Sequence, residues 1–470
     1  MKTLGVLKSG IWYTISNVLV KGLAFFTVPI FSRLMSKEEF GDYSNFISWL
    51  HIAAIVITLN VESTLISAKY DYKNKFDEYI FSVLILSTLS CVIWLFGGFV
   101  FRTELEAFTA LKDTDLLWML LYLIFITPIS LYQVKQRYIY KYKQSVLISF
   151  SIAFFTTFLS ILLVYVMTDK LEGRIIGSVL PVILIGFFFF LYFINKGKKI
   201  VFSYWRYALP VCLPFIPHLL SLMLLNGMDK IMINQICGPE SNAMYSVAYT
   251  GGQIVTILIS AMNLAFIPWL GDKMDEKNYA EIRSKSKYYI LFFSYFAGGL
   301  MMASPEMLYL LGGEEYMQAI YVLTPVSMGC VCQFLYMLFV NIEQISKKTK
   351  GMAAGSIIAA LINYVLNLMF IPIYGYVAAA YTTLVGYLCL LLIHMYILKR
   401  IGKSMVYDYK FIFYIVTIVL LYSFVLNFVF SSGMLRVLML VVYLSPLVYY
   451  LKKFRNEIFK FTLSLKRNFK

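Results

Sequence analysis

The hydrophobic and polar positions of the chain are arranged as long apolar runs separated by short polar loops. Each run is about 20 residues long, which is the length an α-helix needs to cross the hydrocarbon core of a bilayer. The pattern predicts an all-α polytopic membrane protein with fourteen transmembrane helices. The predicted segments are 10–34, 43–66, 79–101, 116–134, 146–167, 175–194, 208–236, 243–270, 288–311, 318–341, 353–372, 376–398, 410–430 and 434–451.

The basic residues of the loops test this count of helices. With fourteen crossings, 32 of the 41 lysines and arginines fall on one side of the membrane and 7 on the other, while Lys21 and Lys230 lie inside helices. Loops on the cytoplasmic side carry an excess of positive charge. A missed or invented helix would break the alternation from that point onward, so we expect fourteen helices with both termini cytoplasmic.

An internal repeat is centred on the stretch 29–44, PIFSRLMSKEEFGDYS, which closes the first apolar segment and opens the second. A fainter copy lies 202 positions later, and the same offset relates two glycines further along. The matching pairs are Glu38 and Glu240, Tyr43 and Tyr245, Ser44 and Ser246, and Gly173 and Gly375. A fixed offset at distant places indicates a duplicated unit.

The repeat divides the chain into domains. Helices 1 and 7 both start on the cytoplasmic side, so the predicted repeat is parallel, with two six-helix lobes related by an axis along the membrane normal. We expect a lobe of six helices in 1–200, a second in 201–402, and two further helices with a basic tail in 403–470. A pathway between two such lobes is the usual site of transport.

Composition agrees with a membrane protein and excludes several other classes. The chain is 60% hydrophobic and 14% charged, with a mean hydropathy of +0.75; soluble domains have about 25% charged residues. The net charge of +16 is explained by the loops, so no nucleic-acid partner is expected. The chain has no phosphate-binding loop, cofactor fingerprint or metal motif, and the predicted cofactor set is empty. The six cysteines have the spacing of core residues.

One acidic triplet, Asp113-Thr114-Asp115, has the form that some sugar-nucleotide enzymes use for a metal. It lies in a short loop just before the fourth apolar segment. Asp and Thr side chains are common at helix N-termini because they accept hydrogen bonds from free backbone N–H groups. We therefore interpret the triplet as the start of a helix.

Charged residues inside the apolar segments are the first candidates for function, because a charge in mid-bilayer normally faces a wet interior or a partner. Lys21 lies at the middle of helix 1, and Thr14, Asn17 and Lys21 have the spacing of one helical face. The stripe is expected to line a cavity and to meet an anionic group. The alternative is a structural ion pair between Lys21 and Glu62 of helix 2.

Helices 7 and 11 carry further polar stripes. In helix 7, Asp229 shares a face with His218 and Ser221, and Lys230 lies beside it. Asp229 and Lys230 are candidates for a proton or cation site, with neutralisation of neighbouring helices as an equal alternative. In helix 11, Asn363 and Asn367 share a face; they could bind sugar hydroxyls or form hydrogen bonds between helices.

Two charges near the predicted outer ends of helices complete the candidate set. Arg33 ends helix 1 and is expected to pair with Glu38 or Glu39, with phosphate contact as the alternative. Glu306 follows Pro305 near the outer end of helix 9 and is a further ion-coupling candidate. His51 and His394 have no metal-ligand company in the sequence, and we interpret both as structural.

Several of these stretches resemble those of a known family. The end of helix 1, PIFSRLMSKEEFGDY at 29–43, is similar to the opening signature of bacterial polysaccharide repeat-unit flippases, the Wzx-like transporters of the MATE-like superfamily. The stretches 228–231 (MDKI), 310–316 (LLGGEEY) and 371–380 (IPIYGYVAAA) resemble later family stretches. The resemblance covers nearly the whole chain, but these motifs mark turns and packing rather than substrate chemistry.

The resemblance implies a flippase of the cell membrane and not an enzyme. Such a protein moves undecaprenyl-pyrophosphate-linked oligosaccharides, used for O-antigen or capsule, from the inner to the outer leaflet of the bacterial inner membrane by alternating access. A cation-lined cavity would hold the headgroup, with H+ or Na+ as the coupling ion and membrane lipids and polysaccharide polymerase or chain-length machinery as partners. Gln235 is the repeat counterpart of Arg33, so we expect no second copy of the function of that arginine.

Three alternatives remain at this point. A drug/cation antiporter of the same superfamily would be expected to present carboxylates as its central charges, whereas this chain has Lys21 there. A peptidoglycan-precursor flippase also has fourteen helices, but the several cavity arginines expected of it are not evident in the sequence. A membrane polymerase or ligase would be expected to carry a large outer loop, and every loop here is short.

Overall fold

The computed structural model describes residues 22–23, 25–138, 141–346, 350–430 and 432–453. This described part is built from α-helices joined by short turns and contains no β-strand. The helices are α1 Phe25–Leu34, α2 Lys37–Ile57, α3 Leu65–Asp71, α4 Phe76–Val100, α5 Arg102–Thr109, α6 Asp113–Tyr138, α7 Tyr142–Val166, α8 Lys170–Gly197, α9 Phe202–Cys212, α10 Phe215–Cys237, α11 Pro239–Gln253, α12 Val255–Asp275, α13 Tyr279–Met302, α14 Ser304–Gly312, α15 Ile320–Ile345, α16 Lys350–Tyr374, α17 Tyr376–Arg400, α18 Tyr409–Val429 and α19 Gly433–Lys453.

The predicted apolar segments match these helices in order, which confirms an all-α polytopic membrane protein. In the described part of the chain, eight helices are long and apolar enough to cross a membrane, and three bent pairs raise this number to eleven. The helices α1 and α19 contribute shorter apolar stretches, and α13 covers the ninth predicted segment. The count of fourteen therefore stays a prediction.

The turns that join the helices are stabilised by caps that the sequence encodes. The Ser36 hydroxyl accepts from the N–H of Glu39, whose carboxylate accepts in return from the N–H of Ser36, a reciprocal capping box that starts α2. At the start of α6, the Asp115 carboxylate accepts from the N–H of Lys112. Gly238, between α10 and α11, has φ +86°, a conformation that other residues rarely adopt.

The two halves of the chain touch most closely where α2 crosses α11. A Cβ atom on Gly41 would lie 1.8 Å from the carbonyl oxygen of Pro239, so only glycine fits at this crossing. The Asn242 amide donates to the Gly41 carbonyl at 2.8 Å, and both residues are buried. This contact holds the first turns of the two repeat-related helices against each other.

The seventh predicted helix is broken at Leu213 and Pro214 into α9 and α10, where the proline has no backbone N–H to donate within a continuous helix. Helix α9 packs on α4 and on the 3-10 turn Val61–Thr64, with the Trp205 indole donating to the Ser82 carbonyl at 2.7 Å. Helix α10 packs on α2, α11 and α16. The division into lobes at residues 200 and 201 stays a prediction, and the contacts of α9 cross that boundary.

Candidate functional site

A buried arginine without a carboxylate partner lies near the start of α8. The Arg174 guanidinium carbon is 3.8 Å from the ring centre of Phe31, 3.9 Å from that of Tyr43 and 5.0 Å from that of Phe40. Its side chain is 7% exposed, and no salt bridge within the described ranges involves it. Aromatic faces attract a cation but do not neutralise it, so Arg174 is available to an anion.

Two cavities meet at this arginine. One of 410 Å³ lies among α1, α2, α6, α7 and α8, and one of 520 Å³ lies among α1, α2, α8, α10, α11 and α12. Thr27, Tyr43 and Arg174 line both. Polar side chains line much of the remaining wall: Gln133, Ser149, Thr156, Thr157, Ser160 and Ser178 in the first cavity, and Ser44, Ser246, Thr250, Gln253 and Thr256 in the second. Each cavity can therefore hold a polar ligand against the cation that they share.

Lys230 provides a second cation in the larger cavity. Its ammonium lies 5.4 Å from the ring centre of Tyr249, and it forms no salt bridge within the part of the chain that the structure describes. Lys230 thus lines this cavity, a place that the sequence did not predict for it; its role as a proton or cation site stays a prediction. With Arg174, it makes this cavity electropositive on both the α8 side and the α10 side.

Asp229, the residue before Lys230, points away from the cavity into a network of polar side chains. The carboxylate is 1% exposed. One oxygen accepts from the Asn367 amide at 2.6 Å, and the other accepts from the Tyr245 hydroxyl at 2.7 Å and the Thr383 hydroxyl at 2.5 Å. The Asn363 amide donates to Thr383 at 3.1 Å. Four helices, α10, α11, α16 and α17, therefore meet at one buried carboxylate.

This network brings together three residues that the sequence singled out separately. Asp229, Asn363 and Asn367 are joined by hydrogen bonds, either directly or through Thr383, and the Thr382 hydroxyl donates to Asn367. The asparagines therefore support the carboxylate in this structure, which is the interhelical alternative left open by the sequence. Carboxylate, amide and hydroxyl oxygens, all of which this network contains, are the ligands that a hard cation prefers.

A latch between the two halves lies at the end of the molecule where α1 and α10 finish. The Arg33 guanidinium donates to the carbonyls of Leu310 and Tyr309 at 3.2 and 3.3 Å, at the C-terminal end of α14. The neighbouring Ser32 hydroxyl donates to the Leu311 carbonyl at 2.6 Å. The predicted pairing of Arg33 with Glu38 or Glu39 is wrong, because exposed carbonyls at a helix C-terminus carry the partial negative charge that the guanidinium meets.

A second, repeat-related contact runs from the C-terminal half to the N-terminal half. Gln235, the repeat counterpart of Arg33, donates from its amide to the Phe108 carbonyl at 2.6 Å, at the C-terminal end of α5. Helix α5 starts at residue 102 and α14 at residue 304, so these short helices are also 202 positions apart. The expectation that Gln235 does not repeat the role of Arg33 is corrected, since an amide N–H meets a helix-end carbonyl as an arginine does.

Two other candidates lie apart from the cavity, and two cannot be placed. Glu306 of α14 forms an ion pair with Arg436 of α19. Glu62 lies half-buried in the 3-10 turn after α2 and forms no salt bridge within the described ranges. Asn17 and Lys21 fall outside the described residues, so the predicted polar stripe of helix 1 and its pairing with Glu62 stay predictions.

Some site residues carried little signal in the sequence. Arg174 lies close to a predicted loop and was counted with the loop charges, although a basic residue four positions inside a helix is also a candidate for burial. Thr383 and Thr382 occur in an apolar helix where hydroxyls are ordinary. Tyr245 was part of the repeat signature, and its hydrogen bond to Asp229 gives that signature a chemical reason.

Proteins with related sequences were found by comparison with known families and proteins. Residues 6–274 match the model of a family described as polysaccharide biosynthesis protein. Protein 1 of the Lsg locus of Haemophilus influenzae is 23% identical over 411 residues, which are 85% of this chain and all of that protein. The relatives therefore extend over most of the chain.

Solved transporter structures share the fold. The lipid II flippase MurJ, in an inward closed conformation, aligns with a TM-score of 0.72 at 15% identity over 95% of this chain and 100% of that chain. A transporter of the MOP superfamily from Pyrococcus furiosus aligns with a TM-score of 0.54 at 15% identity, over 86% and 96%. An inward-facing multidrug transporter of the MATE family aligns with a TM-score of 0.56 at 15% identity, over 86% and 95%.

These findings agree with the sequence resemblance to Wzx-like flippases. The fold is that of the MOP superfamily, and its many apolar helices make the chain a multi-pass membrane protein. The matched family model covers more than half of the chain. The chain belongs to the polysaccharide biosynthesis protein family.

Proposed function

We propose that this protein translocates undecaprenyl-pyrophosphate-linked oligosaccharide repeat units from the cytoplasmic to the outer leaflet of a bacterial inner membrane. The observation that carries the proposal is the polar cavity in which Arg174 and Lys230 lie without carboxylate partners within the described ranges. A pyrophosphate offers these cations charge-assisted hydrogen bonds, which are about twice as strong as neutral ones. Hydroxyl and amide side chains along the wall suit the sugars.

The cavity chemistry separates this proposal from its rivals. A carrier of cationic drugs needs carboxylates at the cavity surface, whereas the buried carboxylate here, Asp229, receives three hydrogen bonds and turns away from the space. A peptidoglycan-precursor flippase would also carry a pyrophosphate lipid, and the family match to polysaccharide biosynthesis favours a polysaccharide repeat unit. O-antigen and capsule units are the two outcomes that a substrate screen would distinguish.

Transport by alternating access would open and close the latch at the ends of α5 and α14. The proposed topology places this end of the molecule at the outer face and both termini in the cytoplasm. The headgroup would enter from the cytoplasmic side, reach Arg174, and leave when Arg33 and Gln235 release their carbonyl partners. The polyprenyl tail can remain in lipid throughout, because only the glycan and the pyrophosphate need a polar path.

Asp229 is the proposed coupling site, with H+ or Na+ as the ion. A proton would convert the carboxylate into a neutral group and remove one acceptor, which changes the hydrogen bonds to α11, α16 and α17. A sodium ion would be held by the oxygens of Asp229, the two asparagines and the threonines. Inward movement of one positive charge gains about 2.3 kcal/mol per 100 mV of membrane potential. Lys230, Glu62 and Glu306 are the other predicted coupling groups, and Glu306 is already paired with Arg436.

Transport of a labelled undecaprenyl-pyrophosphate oligosaccharide in proteoliposomes tests the proposal. We expect Arg174→Gln to lower the rate at least tenfold, because a hydrogen bond to a charged group contributes about 1.5–3 kcal/mol, and Lys230→Gln to lower it by a smaller factor. Arg174→Lys keeps the charge but loses the planar stacking on Phe31 and Tyr43, so we expect partial recovery.

Arg400→Gln is the matched control, since Arg400 also lies over an aromatic ring, that of Tyr396 at 5.5 Å, but outside both cavities. Full transport by folded Arg174→Gln and Lys230→Gln proteins would overturn the assignment of the cavity. Failure of the wild type to move any anionic lipid-linked glycan, together with efflux of a cationic drug, would replace the flippase with an antiporter.

A further inference from the structure

A second buried acid–base pair lies in the C-terminal half, far along the chain from Asp229 and its partners. The Nδ1 atom of His394 on α17 is 2.8 Å from Oε1 of Glu343 on α15. Their side chains are 2% and 0% exposed. Both residues lie near the ends of their helices that the charge pattern predicts to be cytoplasmic. Asp229, by contrast, lies near the opposite end, two turns before the end of α10.

Only one of the two carboxylate oxygens of Glu343 has a hydrogen-bond partner within the described ranges. Oε2 of Glu343 is buried and has no hydrogen-bond partner within the described part of the protein. A buried carboxylate oxygen without a donor is costly, whereas a protonated oxygen is neutral and can itself donate. The pair therefore holds one proton between Nδ1 and Oε1 and offers Oε2 as the position for another.

Among the residues that the structure describes, no salt bridge other than the one between them involves Glu343 or His394. The Tyr336 ring stacks on the imidazole with centres 5.7 Å apart. From α16, the facing residue is Gly355, where a Cβ would lie 3.6 Å from Nε2 of His394. Tyr409, the first residue of α18, interacts electrostatically with Glu343 and donates its hydroxyl to the Met395 carbonyl. The titratable neighbours are thus tyrosines, which are neutral at physiological pH.

We propose that Glu343 and His394 form a proton-binding site of the C-terminal half, distinct from the Asp229 network. With a proton shared, the pair is neutral overall and can stay buried between α15 and α17. Loss of that proton leaves an uncompensated buried negative charge, which disfavours the packing of these two helices. Occupancy of the site by a proton from the cytoplasmic side therefore sets how closely α15 and α17 pack.

The pair is also mechanically connected to the neighbourhood of Asp229. Tyr336 lies between His394 and Tyr387, whose ring centre is 6.4 Å from its own. The Tyr387 hydroxyl donates to Asn226 at 2.5 Å, on the same helix as Asp229. A change in α15–α17 packing would reach α10 through these rings. Use of the site in transport rests on the proposed function, whereas proton binding is a property of the pair itself.

Infrared spectroscopy of the full chain in liposomes, titrated over about pH 5–8 where histidine changes charge, tests the proposal with the proton itself as the probe. We expect a carboxyl C=O band that grows as the pH falls and that is absent in Glu343→Gln. In His394→Gln, the midpoint of the remaining band should move by about one pH unit or more. Glu276→Gln, which removes the exposed ion-pair partner of Lys273, should leave the band unchanged.

A second measurement covers the case in which Glu343→Gln does not fold. Carbon-13 labelling of glutamate in the wild type shifts glutamate bands and leaves aspartate bands in place, which separates Glu343 from Asp229 without mutation. A pH-invariant glutamate carboxyl region, or an unchanged band in folded Glu343→Gln, would overturn the proposal and leave a structural ion pair. The titration needs no transported substrate. A negative result would therefore leave the proposed flippase function standing, and loss of transport in Arg174→Gln would leave the result of the titration unchanged.

Discussion

The two halves of the molecule use the same tyrosine position for opposite charges. In the N-terminal half, the Tyr43 ring lies 3.9 Å from the guanidinium carbon of Arg174. In the C-terminal half, its repeat counterpart Tyr245 donates its hydroxyl to the carboxylate of Asp229 at 2.7 Å. One tyrosine therefore supports a cation through its ring face, and the other supports an anion through its hydroxyl.

This difference teaches how a duplicated unit can divide two tasks. Arg174 is held by aromatic faces and by a hydrogen bond from Nη1 to the Met35 sulfur at 3.3 Å, so its other donors can meet a ligand in the cavities that it faces. The Asp229 carboxylate receives three hydrogen bonds, and it keeps these partners until a proton or a metal ion binds to its oxygens. We infer that the N-terminal half holds the anionic headgroup and that the C-terminal half responds to the coupling ion.

The largest effect on transport is expected from neutralising Asp229, the charge of the C-terminal half. In Asp229→Asn, we expect gradient-driven transport to fall by about 100-fold or more, because the amide cannot take up the coupling proton. With one acceptor oxygen instead of two, it also loses up to two of the three hydrogen bonds that the carboxylate accepts, each worth about 1.5–3 kcal/mol. Binding of the pyrophosphate lipid, measured by titration of the detergent-solubilised protein, should change little.

Asp275→Asn, which alters an exposed carboxylate at the end of α12, is the matched control and should keep full transport. Equal loss of headgroup binding in Asp229→Asn and Arg174→Gln would show that the two halves share one task, against the comparison drawn above.

The fold was largely predictable from the sequence because the apolar segments and the loop charges each constrain the helices independently. The repeat register also located the equivalent first turns of α2 and α11, where Glu38 and Glu240 lie. The breaks inside helices were harder to predict. Proline marked the one at Pro214, but the bend of 47° between α2 and the following turn and α3 arises at Leu59 and Asn60, which adopt positive φ without glycine.

The candidate site was predictable only in part. Asp229, Asn363 and Asn367 were found because polar side chains in apolar helices are conspicuous, whereas their mutual contact needed the three-dimensional arrangement. Arg174 was missed because its position near a helix end matches that of an ordinary loop charge. Glu343 was missed for a similar reason, since it lies just beyond the predicted end of the tenth segment at residue 341 and close to a basic loop. Its partner His394 is 51 positions away in the sequence.

The next largest effect is expected at the crossing of the halves. In Gly41→Ala, the new Cβ would meet the Pro239 carbonyl oxygen at 1.8 Å, so α2 and α11 must separate. Overpacking of this kind costs about 1–3 kcal/mol, and thermal unfolding in lipid nanodiscs should show the loss.

Gly97→Ala on α4 is the control, because a Cβ there has no neighbour within 4 Å and alanine is the better helix former. If Gly41→Ala were as stable as the wild type, the close contact between α2 and α11 would not require glycine at this position.

The latch offers a graded test of symmetry between the halves. We expect Arg33→Ala to open this end more than Gln235→Ala, because a hydrogen bond from a charged donor contributes about 1.5–3 kcal/mol and a neutral one about 1 kcal/mol. The measurement is labelling of a cysteine placed at Ser44, a cavity residue, by a membrane-impermeant thiol reagent in a background without native cysteines.

The double variant should be labelled faster than either single variant, because both contacts oppose the same opening. Unchanged labelling in Arg33→Ala would contradict a role of the α14 carbonyls in closure, and faster labelling from Gln235→Ala than from Arg33→Ala would reverse the order proposed for the halves.

The smallest effect concerns a carboxylate that should not take part in coupling. Asp408, between α17 and α18, lies 2.8 Å from Lys287 and 3.4 Å from Arg283, and it accepts from the Phe411 N–H at 3.2 Å. The hydrogen bond from Lys287 has the largest effect and lowers the pKa of this carboxyl. Burial opposes it, and the Phe411 N–H and the charges of Lys287 and Arg283 lower the pKa further.

Because the folded-state pKa of Asp408 is depressed, its stabilisation is present above the unfolded value of about 3.9 and is lost as the pH falls through the folded value. We expect Asp408→Asn to lower the free energy of unfolding by about 0.5 kcal/mol at neutral pH, because Asn can still cap α18 and only the ion pairs with Lys287 and Arg283 are lost, and to flatten the acid limb of stability against pH. Transport and its ion dependence should stay as in the wild type. A change in ion dependence would instead mean that carboxylates outside the Asp229 network take part in coupling, and the assignment of that task to one buried site would fail.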